Sequence, residues 1–347
     1  MKTATSTIST STSAIADRIE GFDLLRGLCA IAVAFYHILW WRDQVSLDGI
    51  GRYCVYVFFV LSGASMFIAY NHKFAQGYDA GKFIALRFLR LAPLLCMVLA
   101  LTAGLALVKH QPVGHLIGDT LLNISFAFGL GNPGSTSAIT GGWSLGIEFV
   151  FYLVFPVLLA ATQSRAWLLM LVLSFVLQHV FVNRTLGGAS LATAWVTYTQ
   201  PLSFAFYFMA GCCIGRVIQS GAIRYSPLWV FGFAAAALPL LSVHSEDNLL
   251  GVNGVMLSLS ATALALCSSG LPTPGFASTV ADALGRLSYG VYLIHPLAFG
   301  VVNRLLMKQP TVVVALTTIA VSSVAALVLE RYYEAPVRSG IRKLMRI

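Results

Sequence analysis

The sequence predicts an all-α polytopic membrane protein, and three observations carry that prediction. Hydrophobic residues fill 58% of the 347 positions and charged residues only 10%, where a soluble domain carries about 25% charge. The mean hydropathy is +0.80. Apolar runs long enough for a hydrocarbon core of about 30 Å recur along almost the whole chain, so no second soluble domain has room.

About ten such runs can be marked, at 24–41, 53–70, 91–108, 143–161, 166–182, 200–215, 226–243, 249–267, 288–306 and 311–330. Residues 1–19 read as a disordered, Ser/Thr-rich cytoplasmic tail, 20–338 as the membrane domain and 339–347 as a basic cytoplasmic tail. The first 17 residues have no apolar core, so no cleavable signal is expected ahead of the first span. The net charge of +9 is not a nucleic-acid footprint, because the cations sit at the ends of apolar runs. With both termini inside, 16 of the 22 basic residues fall on the inner side, as the positive-inside bias requires. The acidic outer loop 244–248 contains no Lys or Arg. The six cysteines lie within apolar runs without metal-ligand spacing and read as small packing residues; no metal site is expected.

Residues 116–130 (LIGDTLLNISFAFGL) do not fit a full span. They are short, interrupted by Asp119, Asn123 and Ser125, and followed by a Gly/Pro/Ser/Thr loop. Counting them as a crossing would place the termini on opposite sides, so a re-entrant or surface segment between spans three and four is expected, tolerated where protein or water satisfies its backbone. The loops 109–142 and 183–199 are the expected acceptor entrance. No internal repeat is visible, which argues against a transporter built from related halves.

Ionisable groups inside spans are expensive and each is a functional candidate. Arg26 and His37 lie eleven residues apart on the first span, about 16 Å along the axis and roughly 20° apart around it. One face therefore carries a cation near the cytoplasm and an imidazole in the outer half. Glu148, five residues into the fourth span, is placed at a depth comparable to His37. An acid beside an imidazole fixes its tautomer and suits a general base acting on a hydroxyl; an interhelical ion pair without chemistry is the plain alternative. For Arg26 the plain alternative is a snorkelling anchor, and for Arg87 and Arg90 an interfacial amphipathic helix. Ser62-Gly63 reads as a close helix contact in preference to a catalytic serine. His295 is placed in the inner half of its span, too far down to pair easily with His37. Trp40 and Trp41 read as interface anchors.

These residues stand in a recognisable order. Gly21-Phe22-Asp23-Leu24-Leu25-Arg26-Gly27 with Arg26-x10-His37, Phe58-Phe59-Val60-Leu61-Ser62-Gly63, Arg87-Phe88-Leu89-Arg90, Trp143-Ser144-Leu145-x-x-Glu148-x-x-x-Tyr152, Ser288-Tyr289-Gly290-Val291-Tyr292-Leu293-Ile294-His295-Pro296 and Glu334-Ala335-Pro336 together resemble the membrane-bound acyltransferase 3 family over about residues 20–338. The resemblance implies a bacterial inner-membrane O-acyltransferase that moves an acyl group, usually acetyl, from cytoplasmic acyl-CoA to a sugar hydroxyl at the outer side. Acetyl-CoA is then a co-substrate, with no bound cofactor. The acceptor is a cell-envelope polysaccharide or its lipid-linked precursor, and synthesis or export machinery is a possible partner; no nucleic acid is expected. On this reading Arg26, Arg87 and Arg90 hold CoA phosphates through charge-assisted bonds. His37 and Glu148 are catalytic, with Tyr152, Trp143 and Ser144 supporting them. His295, with Tyr292 and Ser62, is structural or part of the donor channel. Phe149 stands after Glu148 where many relatives have a second polar residue, so no role carries over to it. Some relatives append a soluble periplasmic domain; here acceptor handling is expected of the membrane domain or a partner. Succinyl transfer to periplasmic glucans and acylation of a small metabolite keep the same fold; a glycan or acyl-unit transporter is the alternative of another class.

Overall fold

The computed structural model describes residues 18–43, 45, 47–108, 116–221, 227–242, 249–271 and 274–345; the N-terminal tail 1–17 and the acidic loop 244–248 lie outside them. Among the described residues the chain is helical, with no strand. Its helices are α1 (Glu20–Asp43), α2 (Asp48–Ala75), α3 (Ala80–Val108), α4 (Leu116–Ile124), α5 (Pro133–Thr136), α6 (Trp143–Gln163), α7 (Trp167–Leu186), α8 (Leu191–Tyr198), α9 (Ala205–Ser220), α10 (Pro227–Ala236), α11 (Gly251–Ser269), α12 (Phe276–Leu305), α13 (Thr311–Leu329) and α14 (Ala335–Met345).

Among the described residues the marked apolar runs fall on helices, and eight helices are long and apolar enough to cross a membrane. The chain is thus a multi-pass membrane protein. The helices outrun the apolar windows where charged turns continue them. The basic stretch 82–90 is the first part of α3, continuous with the third run, and α12 begins twelve residues before its apolar window. The seventh run is interrupted, with α10 giving way to a 3₁₀ turn at Leu238–Ser242 that contains Pro239.

Residues 116–130 form α4 and a 3₁₀ turn at Ala127–Leu130. Nine helical residues rise roughly 14 Å, under half of the hydrocarbon thickness, so α4 cannot cross alone. The segment is tied down by buried Asn123. Its side-chain amide donates to the Asp119 and Thr136 carbonyls at 2.8 Å each and accepts from the Ala138 N–H at 3.0 Å. Irregular backbone is thereby satisfied by protein.

The centre of the bundle is α2, whose apolar window is 83% buried. It meets α9 through small residues: a Cβ on Gly63 would lie 2.1 Å from the Phe208 carbonyl oxygen, and one on Gly211 2.1 Å from that of Val60. Removing side chains at this crossing lets the two backbones approach, the small-residue packing common between membrane helices. The Ser62-Gly63 helix contact expected from the sequence is therefore made. All six cysteines are free thiols, five of them buried among these helices.

Candidate functional site

A second close crossing sets the site. A Cβ on Gly27 would come within 2.4 Å of Leu284 Cβ, and one on Gly285 within 2.5 Å of Asp23 Cβ, so α1 and α12 touch near their N-terminal ends. Ten residues beyond Gly27 lies His37, and eleven beyond Leu284 lies His295. Equal rise along two helices running the same way brings the imidazoles together: His37 Nδ1 is 2.9 Å from His295 Nε2. The rings are nearly parallel, 5.1 Å between centroids, and Trp41 stacks on His37 at 5.3 Å.

This corrects two expectations. His295 is not too deep to reach His37, because its depth is set by the Gly27–Leu284 contact and not by the start of an apolar window at 288. His37 also does not pair with Glu148. That carboxylate faces α2, where Oε1 accepts from Ser62 Oγ at 2.7 Å and from Tyr152 OH at 2.5 Å. Trp41, expected as an interface anchor, packs on the histidine pair and on Phe299.

Glu148 instead lines a cavity of about 700 Å³ that runs up the middle of the bundle. One mouth of the cavity is cationic, and in all eight basic side chains, Arg18, Arg26, Lys73, Arg87, Arg90, Arg286, Arg338 and Arg342, line the cavity against four carboxylates, Asp23, Glu148, Glu330 and Glu334. Arg26 is held by Asp23 Oδ1 and Ser65 Oγ, both at 3.0 Å. Arg87 donates to Tyr70 OH at 2.9 Å and lies over that ring, while its buried Nε has no partner among the described residues. Arg90 is exposed to the cavity. Arg18 bridges Asp23 and Asp282. Burial opposes its charge, but hydrogen bonds and the fields of the two carboxylates outweigh that and raise its pKa above the usual arginine value.

At the far end of the cavity the Ser144 and Tyr292 hydroxyls meet at 2.9 Å, and each also contacts the Gly141 carbonyl, at 3.0 and 2.9 Å. Gly141 has φ +77°, a left-handed conformation that favours glycine. Tyr292 lies one turn before His295 on α12, with ring centroids 6.3 Å apart. The cavity therefore ends beside the histidine pair.

Of the residues singled out from the sequence, Arg26, Arg87, Arg90, Ser62, Glu148, Tyr152, Ser144 and Tyr292 share this cavity. Trp143, His37 and His295 are not in its lining; Trp143 packs against Trp195 and Phe204. Sequence reasoning missed Lys73, Arg286, Arg338 and Arg342 as part of the mouth. The last two follow a π-helical turn, Glu330–Glu334, that joins α13 to α14. Their one signal was the surplus of inner cations, which orientation alone had seemed to explain.

The arrangement offers an anion-binding inlet, a polar passage and an imidazole pair at its end. The family profile described as an acyltransferase domain matches residues 19–331. The exopolysaccharide production protein ExoZ of Rhizobium meliloti (strain 1021) is 28% identical over 267 residues, covering 74% of this chain and 78% of the relative. Peptidoglycan O-acetyltransferase OatA of Listeria monocytogenes (strain EGD-e) is 23% identical over 379 residues, 93% of this chain and 56% of the relative. O-acetyltransferase OatA of Staphylococcus aureus (strain NCTC 8325 / PS 47) is 23% identical, 92% of this chain and 57% of the relative. The chain thus spans a little over half the length of the OatA proteins it matches. No solved structure gives a significant match. With the profile covering residues 19–331 and five of the six sequence motifs lying within that range, the chain belongs to the acyltransferase 3 family.

Proposed function

We propose that the protein is an inner-membrane O-acetyltransferase that carries an acetyl group from cytoplasmic acetyl-CoA to a hydroxyl of an extracellular or cell-envelope polysaccharide, or its lipid-linked precursor. The observation that carries this is the cavity: lined by Arg87, Arg90 and Arg338, and reaching Tyr292, whose ring lies 6.3 Å from that of His295, the partner of His37. The surplus of cations at one end supports placing that mouth, and both termini, in the cytoplasm. The names of the ExoZ and OatA relatives support a polysaccharide acceptor.

The chemistry then divides along the cavity. The mouth cations pair with the phosphates of CoA, and the two-pronged guanidinium of Arg90 suits a phosphate better than a point charge does. The extended thioester arm passes Arg26 and Glu148 and presents its carbonyl near the Ser144 and Tyr292 hydroxyls, which donate to the oxyanion of the tetrahedral intermediate on turning from the Gly141 carbonyl. His37 takes the proton of the acceptor hydroxyl, the alkoxide oxygen bonds to the carbonyl carbon, and the C–S bond breaks. The proton returns from His37 to the CoA sulfur. Glu148 anchors Tyr152 and Ser62 in the wall of the passage.

Purified protein in detergent, given radiolabelled acetyl-CoA and candidate glycans, is expected to label the glycan, and His37→Ala to abolish labelling in folded protein. Glycan translocation without any acylated product, surviving His37→Ala, contradicts the proposal in favour of a transporter.

A further inference from the structure

We infer that His295 is a positioning residue that selects the tautomer of His37 and makes Nε2 the basic nitrogen; the inference rests on His37 being the general base. The argument starts at a backbone carbonyl. His295 Nδ1 lies 3.1 Å from the Val291 carbonyl oxygen, one helical turn below it. A carbonyl can only accept, so Nδ1 of His295 carries the proton. In a neutral imidazole the other nitrogen is then an acceptor. His295 Nε2 faces His37 Nδ1 at 2.9 Å, so His37 Nδ1 must donate. The His37 lone pair is left on Nε2.

Both rings are neutral in this scheme because no carboxylate bonds to either among the described residues; Glu148 accepts from Ser62 and Tyr152 instead. His295 is fully buried and fixed at both nitrogens, while His37 keeps part of its surface exposed. Trp41, stacked on His37 and 5.9 Å from His295, stops the rings from turning out of line. The pair therefore works as a neutral counterpart of the acid that orients a histidine in hydrolytic triads, where the wrong tautomer is severely inactive. When Nε2 takes the acceptor proton, the imidazolium still donates from Nδ1 to His295, now through a charge-assisted bond.

The test separates tautomer control from support of the fold. His295→Ala is expected to lower kcat about 100-fold, the scale of lost general-base catalysis, with KM for acetyl-CoA unchanged. Installing Nδ-methylhistidine at position 37 blocks Nδ1 and leaves the lone pair on Nε2 without help. In the His295→Ala protein, where the lost ring makes space for the methyl, it is expected to restore about tenfold or more of the rate. In the wild-type background the methyl meets His295 and lowers the rate. His295→Gln, whose amide oxygen accepts from Nδ1, is expected to retain most of the activity, and supplies the comparison where His295→Ala is not recovered folded. Wild-type kcat in folded His295→Ala, absence of rescue by the methylated residue, or a His295→Gln protein as inactive as His37→Ala overturns the inference. Absence of acetyl transfer by the wild-type protein overturns the proposed function instead.

Discussion

Gly27→Ala tests whether the contact between α1 and α12 near their N-terminal ends governs the histidine pair ten residues further along. The new Cβ would lie 2.4 Å from Leu284 Cβ, whereas non-bonded carbons settle at about 3.5 Å or more. The helices must part by about 1 Å. His37 lies ten residues further along, roughly 15 Å away, and helices shifted apart as rigid rods carry the displacement there. The 2.9 Å contact between the imidazoles then opens to about 3.9 Å, beyond hydrogen-bond range. Overpacking of this kind costs about 1–3 kcal/mol of stability, and a 1 Å misplacement of reacting groups can cost about 100-fold in rate. The assay is acetyl transfer per mole of folded protein, with thermal melting in detergent alongside. Gly104→Ala on α3, where a Cβ meets nothing within 4 Å, is the control and is expected to change neither quantity. A Gly27→Ala protein with wild-type kcat refutes the reasoning that register at this crossing sets the geometry of the site.

Three further outcomes follow from the same geometry. Arg90→Ala removes an exposed guanidinium from the cavity mouth and is expected to weaken acetyl-CoA binding about tenfold, the worth of one hydrogen bond to a charged group, measured by isothermal titration with CoA; added salt should narrow the gap from wild type. Glu148→Gln loses the charge that accepts from Ser62 and Tyr152 and should lower kcat about 10- to 100-fold, on about 1.5–3 kcal/mol for such bonds, whereas Trp143→Phe leaves CoA affinity unchanged. Gly63→Leu drives a side chain into the Phe208 carbonyl 2.1 Å away and should lower the melting temperature in detergent, while Gly232→Leu, with open space around it, should not.

The parts of the fold legible in the sequence were those set by solvent. Apolar runs located the long helices among the described residues, and the short, polar-spotted stretch 116–130 stood apart from them; Asn123, one of the residues that interrupt it, bonds its backbone. Arg26, His37 and Glu148 were found because ionisable groups are scarce within spans, and Tyr152 and Ser144 because they stand in the same motif as Glu148. Helix register was not legible. Apolar windows stop at Arg286 and Ser288, whereas α12 runs on to Phe276, so His295 seemed too deep to meet His37. What fixes its height is the absence of a side chain at Gly27, and a missing atom leaves no mark in a hydropathy profile. Glu148 was misassigned for a related reason: comparable depth does not say which neighbour a helix face meets, and α6 turns that face to Ser62 on α2. Arg338 and Arg342 were hidden because a cation that orients a loop and a cation that binds phosphate look alike in one sequence.

Sealed proteoliposomes give the most direct measurement of the central claim, that donor and acceptor approach from opposite faces and meet at the histidine pair. Radiolabelled acetyl-CoA is supplied only to the face bearing the chain termini, with a polysaccharide acceptor enclosed on the other side. The account predicts label in the enclosed acceptor, dependent on His37, with no acetyl-CoA crossing the bilayer. Transfer that requires both substrates on one face, or that persists in His37→Ala, contradicts it.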